Sequence, residues 1–201
     1  MTAPEPATAG DIEAARAAHA RLTATVAALS DSDVATPCLL PGWTRAHLIS
    51  HLARNADSHT WVLEGARIGE VRDQYPRPGM READIEAGAG RDAAALLDDL
   101  RSASARLEAA WAAMPDDAWA RECRMSAGVL PAEELPFRRL REVEVHHVDL
   151  GLGYSPAEWP AAYVDGELAR SLPRLQARAD GAPLAAWLLG RGPAPDLTSW
   201  Q

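Results

Sequence analysis

The sequence predicts a mainly all-α chain, a four-helix bundle with crossover connections and a short C-terminal appendage. Three observations predict it. Apolar residues recur at three- and four-residue spacing through four long segments, the connections are mostly longer than a hairpin bundle needs, and Pro-rich loops replace this texture beyond Tyr154. On this reading residues 1–10 are a disordered tail, 11–154 the bundle and 155–201 the appendage.

The first helix is expected over residues 11–30, with Asp11 as its cap and Ile12, Ala15, His19, Leu22, Val26 and Leu29 along one face. His19 on that stripe reads as a packed histidine. Two prolines and a glycine make Thr36 to Gly42 a loop. Thr44 then caps a second helix, with Trp43 in the place of a staple residue and Leu48, Leu52, Ala56 and Leu63 carrying its apolar side to about Gly65. Residues 69–79 read as irregular. The third helix, 91–114, turns Leu97, Leu100, Leu107, Ala110 and Trp111 inward and Asp98, Arg101 and Glu108 outward. Residues 117–131 fit either a short strand or an extended crossover. A fourth helix begins between Pro131 and Pro136 and ends at Gly151. Within it, Glu142 to His146 alternates polar and apolar as a strand would, but the segment is too long for a usual strand and has no internal turn signal, so helix is favoured. Two shorter helical patches follow, near 160–175 and 183–189.

Composition narrows the function. With 29 acidic against 20 basic residues the net charge is −9, so a phosphate backbone would be repelled and nucleic acid is not an expected partner. No apolar run approaches the roughly 18 residues that span a bilayer. Residues 1–10 lack the basic and apolar regions of a signal peptide, so a cytoplasmic location is expected. Cys38 and Cys123 fit no metal or redox pattern and read as free thiols. Lysine is absent, which removes Schiff-base chemistry and the Walker-type phosphate loop; an anion clamp must be arginine.

Histidine carries the strongest chemical signal. His47 and His51 lie one turn apart on the second helix, and Glu142 and His146 one turn apart on the fourth, with Asp149 a turn beyond. Two facing helices could present these imidazoles and carboxylates to one point, as bundle metal sites do. Two imidazoles and one carboxylate suit zinc and leave a fourth position for water or substrate. Spacing alone favours hydrogen-bonded or half-exposed polar residues with no metal, because Glu and His at i,i+4 occur by chance in many helices. Glu144 and His147 point about 100° away from their neighbours and cannot join the same site.

Pro41-Gly42-Trp43-Thr44 followed by His51-Leu52, together with Arg141 to Leu150, resembles the mycothiol-dependent maleylpyruvate isomerase family, and Trp187 to Arg191 resembles a motif of that family's C-terminal domain. The resemblance implies a DinB-like four-helix bundle. It implies a zinc ion, or another divalent metal, held by His51, Glu142 and His146. Asp149, one turn beyond His146, is a candidate outer acceptor for an imidazole N–H, and His47, one turn from His51 but not at the family's ligand position, reads as an outer partner or a surface histidine. The resemblance further implies mycothiol as thiol cosubstrate, activated as a thiolate for addition to an electrophilic and acidic small molecule, as in cis-trans isomerisation of maleylpyruvate. Arg191 and Arg54 are the candidate carboxylate-binding residues. The family's C-terminal domain is larger than the segment after Tyr154, which bears on substrate and on Arg191. Two further readings stand beside this one: a mycothiol S-transferase of detoxification or secondary metabolism, and a non-catalytic DinB-like metal-binding stress protein whose seven tryptophans and acidic surface serve a partner. Oligomeric state is left open.

Overall fold

A computed structural model describes residues 6–198. The chain divides after Glu158 into two compact units. The first holds α1 (Pro6–Ala27), α2 (Asp31–Val34), α3 (Arg45–Ile68), α4 (Met80–Ala89), α5 (Ala93–Ala112), β1 (Glu122–Met125), β2 (Gly128–Pro131) and α6 (Leu135–Asp149). In the second are α7 (Ala161–Ser171), α8 (Leu175–Arg178) and α9 (Gly181–Leu188). No helix among the described residues is long and apolar enough to cross a membrane.

The four long helices form the expected bundle. α1 and α3 each lie against α5 and α6, which gives the cyclic order α1, α5, α3, α6 around one core. Leu22, Val26, Leu48, Leu52, Leu63, Leu100, Leu107, Leu140 and Val143 fill it, and each buried leucine contributes about 2 kcal/mol. The start of α3 is fixed by a capping box: the Thr44 hydroxyl accepts from the His47 N–H at 3.4 Å while the Thr44 N–H donates to His47 Nδ1 at 3.2 Å. Its end is fixed by Gly69, which takes a left-handed φ of 82°. Segment 142–146 is helical; Leu140, Val143, His146 and His147 are buried in one helical sequence with Pro136 in its first turn.

Several local features differ from expectation. Residues 6–10 belong to α1, because Pro6 is tolerated in a first turn and Ala7 and Ala9 favour helix; the rest of the expected tail, 1–5, lies outside the described residues. Leu96 faces the core where Leu97 was expected, and Leu97 is half-buried. Residues 122–131 are neither a lone strand nor a crossover but an antiparallel hairpin, Met125 pairing with Gly128. Gln74 ties that hairpin to α3, accepting from the Ser126 N–H at 3.0 Å and donating to Ser58 Oγ at 3.0 Å. The irregular stretch 69–79 is followed by α4, which has glycine at its N-cap and C-cap and no side-chain cap, so no sequence signal marks it.

The loop before α3 brings the site's two helices together. Leu39 N–H donates to the Asp149 carbonyl at 2.8 Å, and Arg45 Nε to the Leu150 carbonyl at 2.8 Å. These bonds satisfy carbonyls exposed at the C-terminal end of α6 and set it beside the N-terminal half of α3.

Candidate metal centre

His51 sits in the second turn of α3, and Glu142 and His146 one turn apart on α6. All three side chains converge. His51 Nε2 lies 3.2 Å from Glu142 Oε2, and His146 Nε2 lies 3.5 Å from the same oxygen. The two imidazole rings stand nearly perpendicular, 86° apart, with centroids at 5.0 Å. One donor atom from each residue falls within 4.8 Å of the other two, and among the described residues this is the one group of three metal-ligating side chains so placed. Bond lengths of about 2.0–2.1 Å around a tetrahedral zinc put neighbouring ligand atoms roughly 3.3–3.4 Å apart. The two edges to Glu142, 3.2 and 3.5 Å, lie on either side of that length, and the third is no longer than 4.8 Å. Donor types and spacing therefore fit a divalent ion of the zinc class, with a small movement of one ring.

Electrostatics favour the same conclusion. Burial lowers the His51 pKa and keeps that ring neutral, as a ligand must be, although Glu142 pulls the other way. Burial opposes ionisation of Glu142, but hydrogen bonds from His146 and His51 outweigh it and hold its carboxyl well below the usual range. For His146, burial is overcome by the Asp149 and Glu142 carboxylates, which raise its pKa to about 9. Metal-free, the cluster at neutral pH is thus a carboxylate between one neutral and one protonated imidazole. A cation entering it displaces a proton from His146.

The other sequence candidates fall in different places. Asp149 Oδ2 accepts from His146 Nδ1 at 2.8 Å, which leaves Nε2 as the inward atom of that ring. His47 does not reach the cluster; its Nδ1 serves the Thr44 cap, its Nε2 lies 3.3 Å from Glu86, and its ring stacks on Trp43. Arg54 is engaged by two carboxylates, Asp99 and, at 3.1 Å, Asp57, which also hold Arg91 and Arg106. Arg191 belongs to the second unit, is exposed, and donates to the Gly190 carbonyl at 3.3 Å. Glu144 and His147 turn to α1, as the helical angle requires: Glu144 accepts from Arg21, and His147 Nε2 lies 2.8 Å from Thr25 Oγ1. Cys123 is buried, its thiol pushed up to about 11 by burial, whereas Cys38 is half-buried, burial raising its thiol too.

Two arginines around the site, Arg139 and Arg81, were not anticipated. Arg139, completely buried one turn before Glu142, donates to His19 Nε2 at 3.0 Å, the Leu52 carbonyl at 2.9 Å and Asn55 Oδ1 at 2.8 Å. Burial lowers its pKa to about 10, with Glu142 acting against that fall, so it remains a cation beneath the ligand carboxylate. His19, neutral because burial lowers its pKa to about 4, passes the contact on to Glu108 at 2.8 Å. Glu108 is thus drawn inward where the helical pattern placed it outward. Trp43 lies 5.7 Å from His51, and Arg81 from α4 reaches over both. In sequence an interior arginine looks like a surface one; a partner such as His19, 120 positions away, leaves no local trace.

Comparison with known proteins agrees with the bundle fold. Residues 15–151 match the family described as mycothiol maleylpyruvate isomerase N-terminal domain. Among solved structures, one of the mycothiol-dependent maleylpyruvate isomerase is 30% identical, with a TM-score of 0.77 over 85% of this chain and 72% of that chain. A second, of a variant of that enzyme with one histidine replaced by alanine, is 29% identical with the same TM-score of 0.77 and the same coverage, 85% and 72%. No curated protein sequence matches the chain.

Proposed function

The chain belongs to the mycothiol maleylpyruvate isomerase family through its N-terminal domain, and on that premise we propose that it is a zinc-dependent enzyme that uses mycothiol to attack an acidic electrophile. The convergence of His51, Glu142 and His146 donor atoms within 4.8 Å carries the reading. A bound divalent ion supplies the positive charge that lowers the pKa of a thiol, otherwise about 8.5 and mostly protonated at neutral pH.

The protein's own groups account for the rest. Glu142 contributes one negative charge and the two imidazoles none, so a divalent ion held by these three residues would keep a net positive charge with which to acidify a thiol. Asp149 holds the proton on His146 Nδ1 and so keeps its Nε2 lone pair inward. Arg139 stabilises the ionised form of Glu142 from below. Trp43 lies against His51, its ring centroid 5.7 Å away, and packs one side of that imidazole. Attack of a thiolate sulfur on an electron-poor double bond turns that bond single, and its electron pair moves into the adjacent carbonyl system. Rotation and expulsion of the thiolate then give the trans isomer with the thiol regenerated. Where the electrophile carries a leaving group, the same groups serve S-transfer, and the two outcomes differ in whether thiol is consumed.

Metal analysis tests the reading. About one zinc per chain is expected for the wild type, and a lost or much weakened site in His51→Ala and Glu142→Ala. A wild type that binds no divalent metal overturns it. For the zinc-loaded protein, mycothiol at 100 times its Kd stabilises the fold by about 2.7 kcal/mol through linkage. No thermal shift at any mycothiol concentration favours the non-catalytic metal-binding alternative.

A further inference from the structure

Arg81 is the cation in contact with the cluster. Its Nη2 lies 3.5 Å from His51 Nδ1, and its guanidinium carbon stands 5.9 Å from the centre of the Trp43 ring. It is half-buried and hydrogen-bonds the Tyr75 hydroxyl, and Nη1 meets Glu82, an exposed carboxylate on the next residue, at 3.4 Å. An exposed pair of this kind holds a guanidinium weakly. The neighbouring arginines are committed elsewhere: Arg45 to the Leu150 and Asp33 carbonyls, Arg54 to Asp57 and Asp99, and Arg139 to the interior.

The His51 ring sets a condition on this contact. A neutral imidazole has one N–H and one acceptor nitrogen. With Arg81 donating to Nδ1, the ring's proton is on Nε2, directed at Glu142 Oε2. A metal ligand must instead offer the Nε2 lone pair, because Nε2 is the atom that faces Glu142. The proton then resides on Nδ1. Two donors would face each other across 3.5 Å, and Arg81 would keep only the neutral Tyr75 hydroxyl and the exposed Glu82 as acceptors when a positive ion arrives beside it. A guanidinium tethered there, on a short helix and over an indole, gains most by taking an anion with matching bidentate geometry.

We propose that Arg81 is the carboxylate-binding residue of this site and that metal binding switches it from His51 to the substrate's carboxylate. The inference rests on the metal reading of the preceding subsection and deepens it by naming the residue, on α4, that holds the carboxylate of the acidic electrophile proposed there. The coupling is reciprocal: the anion tightens metal binding by the factor by which metal tightens anion binding.

Succinate, a dicarboxylate with no reactive double bond, is the probe. Calorimetric titrations compare the full chain with and without zinc, as wild type, Arg81→Ala and Arg81→Lys. The expected result is succinate binding to zinc-loaded wild type, weakened about tenfold or more by removing zinc or by Arg81→Ala, with Arg81→Lys between. Arg81→Ala should also bind zinc at least as tightly as the wild type, since it removes a cation and the competing hydrogen bond; a residue that only supports the fold would weaken zinc instead. Equal succinate affinity for zinc-loaded wild type and Arg81→Ala overturns the proposal and places the carboxylate on the metal alone. A wild type that takes up no zinc overturns the preceding reading and this one with it, a result distinct from zinc uptake without any Arg81 effect.

Discussion

On α6, Glu142 and His146 face α3, whereas Glu144 and His147 face α1. The four side chains lie within six consecutive residues and are similar in kind and burial, yet their environments differ. Glu144 accepts from the Arg21 guanidinium and, at 2.5 Å, from the Tyr154 hydroxyl, while His147 meets the Thr25 hydroxyl and stacks on the Tyr154 ring at 3.9 Å. Those partners come from α1 and from the loop after α6, so the α1 side is a cross-link. The α3 side puts its carboxylate between two imidazoles and its outer imidazole on a second carboxylate. Excess donor capacity aimed at one point distinguishes a binding site from a structural brace, even where residue types match.

The two histidines report the contrast in their protonation. Burial opposes the charged form of both. Carboxylates on the α3 side reverse it for His146, raising its pKa to about 9, whereas for His147 burial is reinforced by Arg21 and its pKa falls to about 4.

Exchanging the roles of the two glutamates is the strongest way to break this comparison. Glu142→Gln should weaken zinc by more than about 100-fold, beyond the cost of losing an outer partner, with a modest effect on the melting of metal-free protein. Glu144→Ala should keep one zinc per chain but cost about 3 kcal/mol, because it strands a partly buried cation. At this chain length that corresponds to a fall in Tm of roughly 6–12 °C. Zinc titration and thermal melting on both variants decide it. Loss of zinc in Glu144→Ala with an unchanged Tm would mean that the two faces are not separate.

Proton linkage sharpens the contrast at smaller amplitude. His147 has a folded-state pKa of about 4 against 6.5 unfolded. Its contribution is present above pH 6.5 and is lost as pH falls toward 4, since the unfolded chain then binds a proton that the native one refuses. His146 has the opposite sign in the metal-free protein: its contribution is complete below 6.5 and is lost as pH rises through about 9. Its proton must leave for metal to bind, so zinc affinity should rise about tenfold per pH unit up to that pKa. His147→Gln should flatten the acid limb of a Tm–pH curve and leave the zinc–pH slope intact. A changed zinc slope would join the two histidines into one site.

Legibility from sequence divides along the same line. The four long helices follow from local spacing, and even the ambiguous stretch at Glu142–His146 is decided by length and by absent turn signals. Helical angle correctly separates Glu144 and His147 from the ligand pair, because that geometry depends only on positions along one helix. The convergence of His51 with Glu142 required a resemblance, since no periodicity specifies which helices meet. Arg81 was out of reach: α4 begins and ends at glycine without a side-chain cap, and the contact with His51 joins two elements through an irregular connection. Arg139 and the inward turn of Glu108 are hidden for a related reason. A charged residue is assigned to solvent unless its partner is known, and these partners are distant in sequence.

Tyr154→Phe gives the smallest and most selective test. The hydroxyl donates to Glu144 Oε2, and burial together with that carboxylate pushes its pKa up to about 12, so it remains a donor throughout the working range. Phenylalanine keeps the ring that stacks on His147 and removes only the donor. A hydrogen bond to a charged acceptor contributes about 1.5–3 kcal/mol, toward the lower end where one partner reaches solvent, so a loss of about 1 to 2 kcal/mol in urea unfolding is expected with an unchanged m-value. Zinc affinity should not move. A zinc effect in Tyr154→Phe would mean that the loop after α6 sets the position of His146 and Asp149 as well as bracing α1, because the substitution alters no group in contact with the ligands.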